Sequence, residues 1–131
     1  MKILHLNYSD ADGGAAIAVK RLHDILNQNN IDSYLLVSEK KYNHEKILNI
    51  QKNSEKIKNL IKESLNRKFS SFFKSNQFNS FSLNLIPSKL IKKINQKKPD
   101  IVNLHWIGNE TISIKDINKI KAKIVWTMHD M

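Results

Sequence analysis

Apolar and polar positions along this chain fall in blocks whose period switches between two and about 3.6, as in strands followed by helices. Lys2–Leu6 (Lys-Ile-Leu-His-Leu) is a short apolar run without Gly or Pro and predicts a buried strand. A polar turn over Asn7–Asp12 leads to the pair Gly13-Gly14, and from Ala15 a helical pattern runs to about Asn29. Ile17, Leu22, Ile25 and Leu26 mark one face of that helix, with Lys20, Arg21, Asp24 and Gln28 mostly on the other. Asn29-Asn30 is expected to end it, since Asn tolerates the left-handed cap conformation. Ser33–Ser38 predicts a second strand, Glu39–Lys46 a charged connection, and Ile47–Ile50 a short third strand.

From Ser54 to Lys74, Ile57, Leu60, Ile61, Leu65, Phe69, Phe72 and Phe73 recur at helical spacing, with Lys56, Lys58, Lys62, Arg67 and Lys68 on the polar side. Two roles are open for this stretch: a crossover helix covering a sheet, which is favoured, or a basic amphipathic helix in a membrane interface. Residues 75–85 read as polar and irregular. Pro87-Ser88 then starts a helix over Lys89–Gln96, with Leu90, Ile91 and Ile94 inward and Lys97-Lys98-Pro99 closing it. Asp100–His105 predicts a fourth strand and Trp106–Asn109 a loop at its carboxyl end. Ser113-Ile114-Lys115-Asp116 matches a capping box and predicts a short helix to about Lys121. Lys123–Met128 predicts a fifth strand, followed by His129-Asp130-Met131.

Strands alternating with helices imply an α/β domain with a Rossmann-like parallel sheet, helices on both faces and right-handed crossovers. With the first strand central, the expected order is 3-2-1-4-5. The ligand crevice then lies beyond the carboxyl ends of strands one and four, where the order reverses. Gly13-Gly14, the His105-Trp106 loop and His129-Asp130 are all expected at that end. The glycine pair precedes a helix whose first N–H groups lack intrahelical partners and attract a phosphate or carboxylate. It does not match G-x-G-x-x-G, since only the adjacent pair is present, and it lacks the lysine of the mononucleotide loop. A tight turn and an anion site both fit it.

Composition narrows the field. The 131 residues are read as one domain, 1–131. There is no cysteine, which excludes a disulfide framework, a thiolate zinc site and a cysteine nucleophile together. No basic leader with an apolar core opens the chain, and no apolar run approaches a membrane span, so a cytoplasmic protein is expected. Net charge is +10, yet only Arg21 and Arg67 are arginine, and no basic stripe interleaves with aromatics. That argues against nucleic acid as partner and leaves attraction to an anionic membrane surface, at the inner face of the membrane, as the better use of the charge.

The histidines divide by position. His5, inside a strand, reads as a satisfied core group or a support for the site; His23 and His44 read as surface residues. His105 and His129 each stand where a strand meets the crevice, and a histidine there can accept a proton or position a phosphate or sugar hydroxyl. His105, His129 and Asp130 have no diagnostic metal-ligand spacing, so no metal is expected.

Three segments, Met1–Asn7 with Gly13-Gly14-Ala15-Ala16, Lys98–Ile107 (Lys-Pro-Asp-Ile-Val-Asn-Leu-His-Trp-Ile) and Ile124–Met131 (Ile-Val-Trp-Thr-Met-His-Asp-Met), carry a resemblance. In order and over the whole chain, they resemble the N-terminal domain of family 4 glycosyltransferases, closest to the exopolysaccharide and colanic-acid branch. The resemblance implies one lobe of a two-lobed GT-B enzyme that moves a sugar, without a metal or cofactor, from a nucleotide-sugar to a saccharide or lipid-linked acceptor with retention. By resemblance, Gly13 and Gly14 approach the donor diphosphate and sugar, His105 and Trp106 line the acceptor side, and His129 stands at the reaction centre beside Asp130. The family's second lobe, which holds the base and most of the nucleotide, is expected to be supplied in cis or in trans. A truncated or split lobe, inactive alone, is therefore the expectation. The alternatives are a non-enzymatic module for an anionic ligand or membrane surface, or an inert remnant. A small nucleotide-binding enzyme of another class is disfavoured by the missing phosphate-loop lysine.

Overall fold

The computed structural model describes residues 1–50, 84 and 90–129. The segment expected as the 54–74 helix, most of the irregular 75–85 stretch, the Pro87-Ser88 helix start and Asp130 lie outside the described residues. Within them the order is β1 (Lys2–Ser9), α1 (Gly14–Gln28), β2 (Asp32–Glu39), β3 (Ile47–Asn49), α2 (Leu90–Lys97), β4 (Ile101–Leu104), α3 (Ile114–Ile117) and β5 (Lys123–Trp126). All four pairings are parallel and the sheet order is β3-β2-β1-β4-β5, as the sequence predicts.

Period-two alternation in the central strands feeds two separate apolar layers. Leu4 and Leu6 of β1, Leu36 of β2, and Val102 and Leu104 of β4 pack on one face with Leu90 and Ile94 of α2, Ile112 and Ile120. On the other face Leu35 and Val37 of β2 meet Val19 of α1 and Ile47 of β3. Helices therefore cover both faces, and β1 lies at the centre, paired with β2 on one side and β4 on the other.

Several boundaries move, for identifiable reasons. β1 runs past Leu6 to Ser9, pairing with β2 as far as Ser9↔Glu39, because the buried polar residues Asn7 and Ser9 find partners there. β4 and β5 are shorter than expected, and α3 covers one turn only. Ser113 does cap it, its Oγ accepting the Asp116 N–H at 3.2 Å. Asn30 closes the α1 end at φ 59°.

The face of α1 is a correction. Its buried residues are Ala16, Val19 and His23, whereas Ile17 and Ile25 are 49% and 55% exposed. Small residues let the helix sit close to β1 and β2, and His23 is accommodated because its Nδ1 lies 2.9 Å from Ser33 Oγ on β2. His23 is thus buried, not a surface residue, while His44 is exposed as expected. At the other edge all four residues of β5 are exposed, including Ile124, Val125 and Trp126. Among the described residues no helix is long and apolar enough to cross a membrane.

Candidate functional site

β1 and β4 reach their carboxyl ends side by side, and the chain that leaves them is tied together by one buried asparagine. Asn7 Oδ1 accepts the Trp106 N–H at 2.9 Å, and Asn7 Nδ2 donates to the Ser9 carbonyl at 2.6 Å. The Trp106 carbonyl in turn accepts the Tyr8 N–H at 2.9 Å, and the two rings meet edge to face with centroids 5.5 Å apart. Trp106 is thereby held over the end of the central strand.

A cleft of about 190 Å³ opens next to it, lined by residues 105–108 after β4 and 126–129 at the end of β5. Both tryptophans of the chain, Trp106 and Trp126, contribute to it, as do His105 and His129. The structure brings together three of the residues expected there, His105, Trp106 and His129. It adds Trp126, which the sequence placed only inside the fifth strand and which the structure puts at the carboxyl end of an exposed edge strand. Asn7 and Gly108 were also not singled out from the sequence.

Gly108 makes room for the Trp106 ring: a Cβ on it would come within 2.6 Å of that ring. Gly108→Ala is therefore expected to push Trp106 off Tyr8 and reshape the cleft. Ligand affinity should fall about tenfold or more while stability drops only by about 1–2 kcal/mol. Comparing ligand titrations with thermal melts of the two proteins separates these effects. The turn that follows holds two consecutive residues, Asn109 and Glu110, at φ 52° and 56°, a conformation disfavoured for side chains and found where a loop is fixed by its surroundings. Thr111 donates from both its backbone and its Oγ1 to the Gly108 carbonyl, which fixes it.

Gly13 and Gly14 do not line this cleft. Gly13 is the residue before α1, at φ 86°, where only glycine is comfortable, and a Cβ on either glycine would meet nothing within 4 Å. No side chain caps the helix and no acid occupies its first turn. The preceding loop is fixed from both sides. Ser9 Oγ accepts the N–H groups of Ala11 and Asp12, and the buried Asp10 carboxylate accepts those of Lys41 and Tyr42 at 2.8 and 2.9 Å.

The histidines form one row. His129 Nε2 lies 2.9 Å from His105 Nδ1, and His105 Nε2 lies 3.1 Å from His5 Nδ1. His5 and His23 rings are 6.5 Å apart, and His23 and His44 rings 6.1 Å apart, so all five histidines follow one another from the cleft to the surface. Burial is the main cause that pushes His5 down to about 3, helped by its histidine neighbours His105 and His23. Burial likewise holds His23 and His105 at about 4, with His129 adding to the effect on His105. These three rings are neutral at neutral pH. Among the described residues no group of three His, Asp or Glu side chains could hold a metal ion. No protein-family model, no curated protein and no solved structure matches this chain.

Proposed function

We propose that this chain is the N-terminal, acceptor-side lobe of a retaining, metal-independent glycosyltransferase that moves a sugar from a nucleotide-sugar to a saccharide or lipid-linked acceptor. The reading starts from the resemblance of its three segments to family 4 enzymes. The observation that supports it best is the cleft after β4 and β5, where two tryptophans and two histidines line one small space. Indole faces pack against the C–H faces of sugar rings, and an imidazole hydrogen-bonds hydroxyl or phosphate oxygens. The open start of α1, with Gly13 at positive φ, would offer backbone N–H groups to a leaving diphosphate, the charge stabilisation that such chemistry needs. The second lobe, in cis or in trans, would bring the nucleotide. In this reading the protein acts on the cytoplasmic side in cell-surface polysaccharide synthesis, with lysines drawing it to the anionic membrane.

The test is a transfer assay with UDP-, GDP- and ADP-sugars, on the chain alone and mixed with a C-terminal lobe from a similar enzyme. Activity in the mixture, reduced at least about a hundredfold by His129→Ala, is the expected outcome. Full activity of His129→Ala, or none in any mixture, would count against the reading.

The uncapped α1 terminus also favours a second reading, a non-enzymatic module for an anionic ligand or membrane surface. It predicts salt-sensitive binding to anionic vesicles, and no binding at low salt would remove it.

A further inference from the structure

His129 faces the cleft, and two buried rings stand behind it. His105 is one residue beyond β4, and His5 is at the centre of β1; they are 3% and 1% exposed. The contacts between the three rings are nitrogen to nitrogen, at 2.9 and 3.1 Å. Each such contact holds one proton and no more. With two protons, two N–H groups would collide; with none, two lone pairs would face each other. The three rings therefore cannot choose their tautomers independently. In the neutral row all three carry the proton on Nδ1, or all three carry it on Nε2.

We propose that His5 is a positioning residue for His129, acting through His105: the buried pair orders the protons of the row, commits Nε2 of His129 inward, and leaves Nδ1 as the one ring nitrogen with which His129 meets a ligand. The deep end of the row explains why it orders rather than conducts. Nε2 of His5 is buried and has no hydrogen-bond partner among the described residues, so a proton delivered there has no acceptor among them. Burial lowers the affinity of His5 and His105 for a proton and keeps both rings neutral. A cationic His129 must donate through Nε2, and this forces His105 and then His5 to carry their protons on Nε2 as well. The groups facing the three rings from α1 and the connection after β2 are His23 and, beyond it, His44; among the described residues no carboxylate shares a hydrogen bond with any of the three.

The inference uses the cleft of the preceding reading but not its chemistry, and it is tested without a substrate. Long-range proton–nitrogen spectra of the full chain, labelled with nitrogen-15 at its five histidines, report which ring nitrogen carries each proton. The expected result is one tautomer, of the same sense, at His5, His105 and His129, with the buried pair protonated on Nε2 whenever His129 is a cation. Rings of opposite sense in the wild-type chain would overturn the proposal. His5→Phe, which removes the nitrogen and keeps a ring of similar size, should leave His105 and His129 as tautomer mixtures. His5→Asn, whose amide can stand where Nδ1 was, should restore a single form. A single unchanged tautomer in His5→Phe would also overturn it. If His5→Phe does not fold, the wild-type spectra through the His129 titration decide alone. Loss of transfer activity with the tautomers intact would speak against the glycosyltransferase reading and leave this one standing.

Discussion

Below about pH 6.5 the domain is expected to lose stability steeply, by about 4 kcal/mol per pH unit. His5, His23 and His105 hold their protons with pKa values pushed down to about 3, 4 and 4, chiefly by burial. In the unfolded chain each returns to about 6.5. Between those values the unfolded state binds up to three more protons than the folded one, so acid favours unfolding. The contribution is fully present above pH 6.5 and is lost as pH falls toward the folded-state values. One group contributes a slope of about 1.4 kcal/mol per unit, and three contribute about 4. About 6 kcal/mol is lost by pH 5, enough to unfold a domain at the low end of the usual range of about 5–15 kcal/mol. Denaturant melts across this range check it. A midpoint that holds steady from neutral pH to pH 4.5 would contradict the burial of the row. His23→Phe should remove about a third of the slope, because it deletes one of the three groups.

Asn7→Ala is expected to cost about 2–3 kcal/mol and to disorganise the cleft at the same time. The Asn7 side chain is 2% exposed and joins two backbone groups, the Trp106 N–H and the Ser9 carbonyl. Its loss removes both bonds and loosens the Trp106 loop, leaving the Tyr8 N–H on the Trp106 carbonyl to hold it to the end of β1. Asn7→Asp keeps the acceptor for Trp106 but loses the donor to Ser9. It should therefore retain the ring contact with Tyr8 better than the alanine variant. Melting curves with tryptophan fluorescence on the two variants separate the outcomes. Equal stability of Asn7→Ala and the wild type would contradict the role given to this residue.

The sheet was legible because its strands carry their own evidence. Lys2–Leu6, Ser33–Ser38 and Asp100–His105 are short apolar runs between turn signals, and parallel order follows from the helical stretches between them. The α1 face was not legible, since the large apolar residues Ile17, Leu22 and Ile25 point outward while Ala16 and Val19 pack. Periodicity weighs side-chain size, whereas close helix–sheet approach rewards small residues. His23 escaped for a different reason. Its partner, Ser33, lies on a neighbouring strand, and only the fold shows that a polar residue on that helix face is satisfied.

The site divides in the same way. His105, Trp106 and His129 could be placed from the ends of strands, because a parallel sheet gathers its carboxyl ends along one edge. Gly13 and Gly14 belong to the same end of the sheet but to the helix start, not to the cleft. Trp126 looked like one more strand residue until the exposure of β5 put it at the rim. The hydrogen bonds from His129 through His105 to His5 join residues 24 and 100 positions apart, and no spacing rule connects them.

The central claim is that the cleft after β4 and β5 binds a saccharide, and its two tryptophans are the only ones in the chain. Their indole N–H resonances therefore report on the site with no background. Titrating the labelled protein with an acceptor oligosaccharide and with each nucleotide-sugar should shift both resonances saturably for at least one saccharide, and His129→Ala should weaken the response. Shifts confined to backbone amides at the start of α1, with both indoles unmoved by every saccharide, would contradict the claim and return the protein to an anion-binding module.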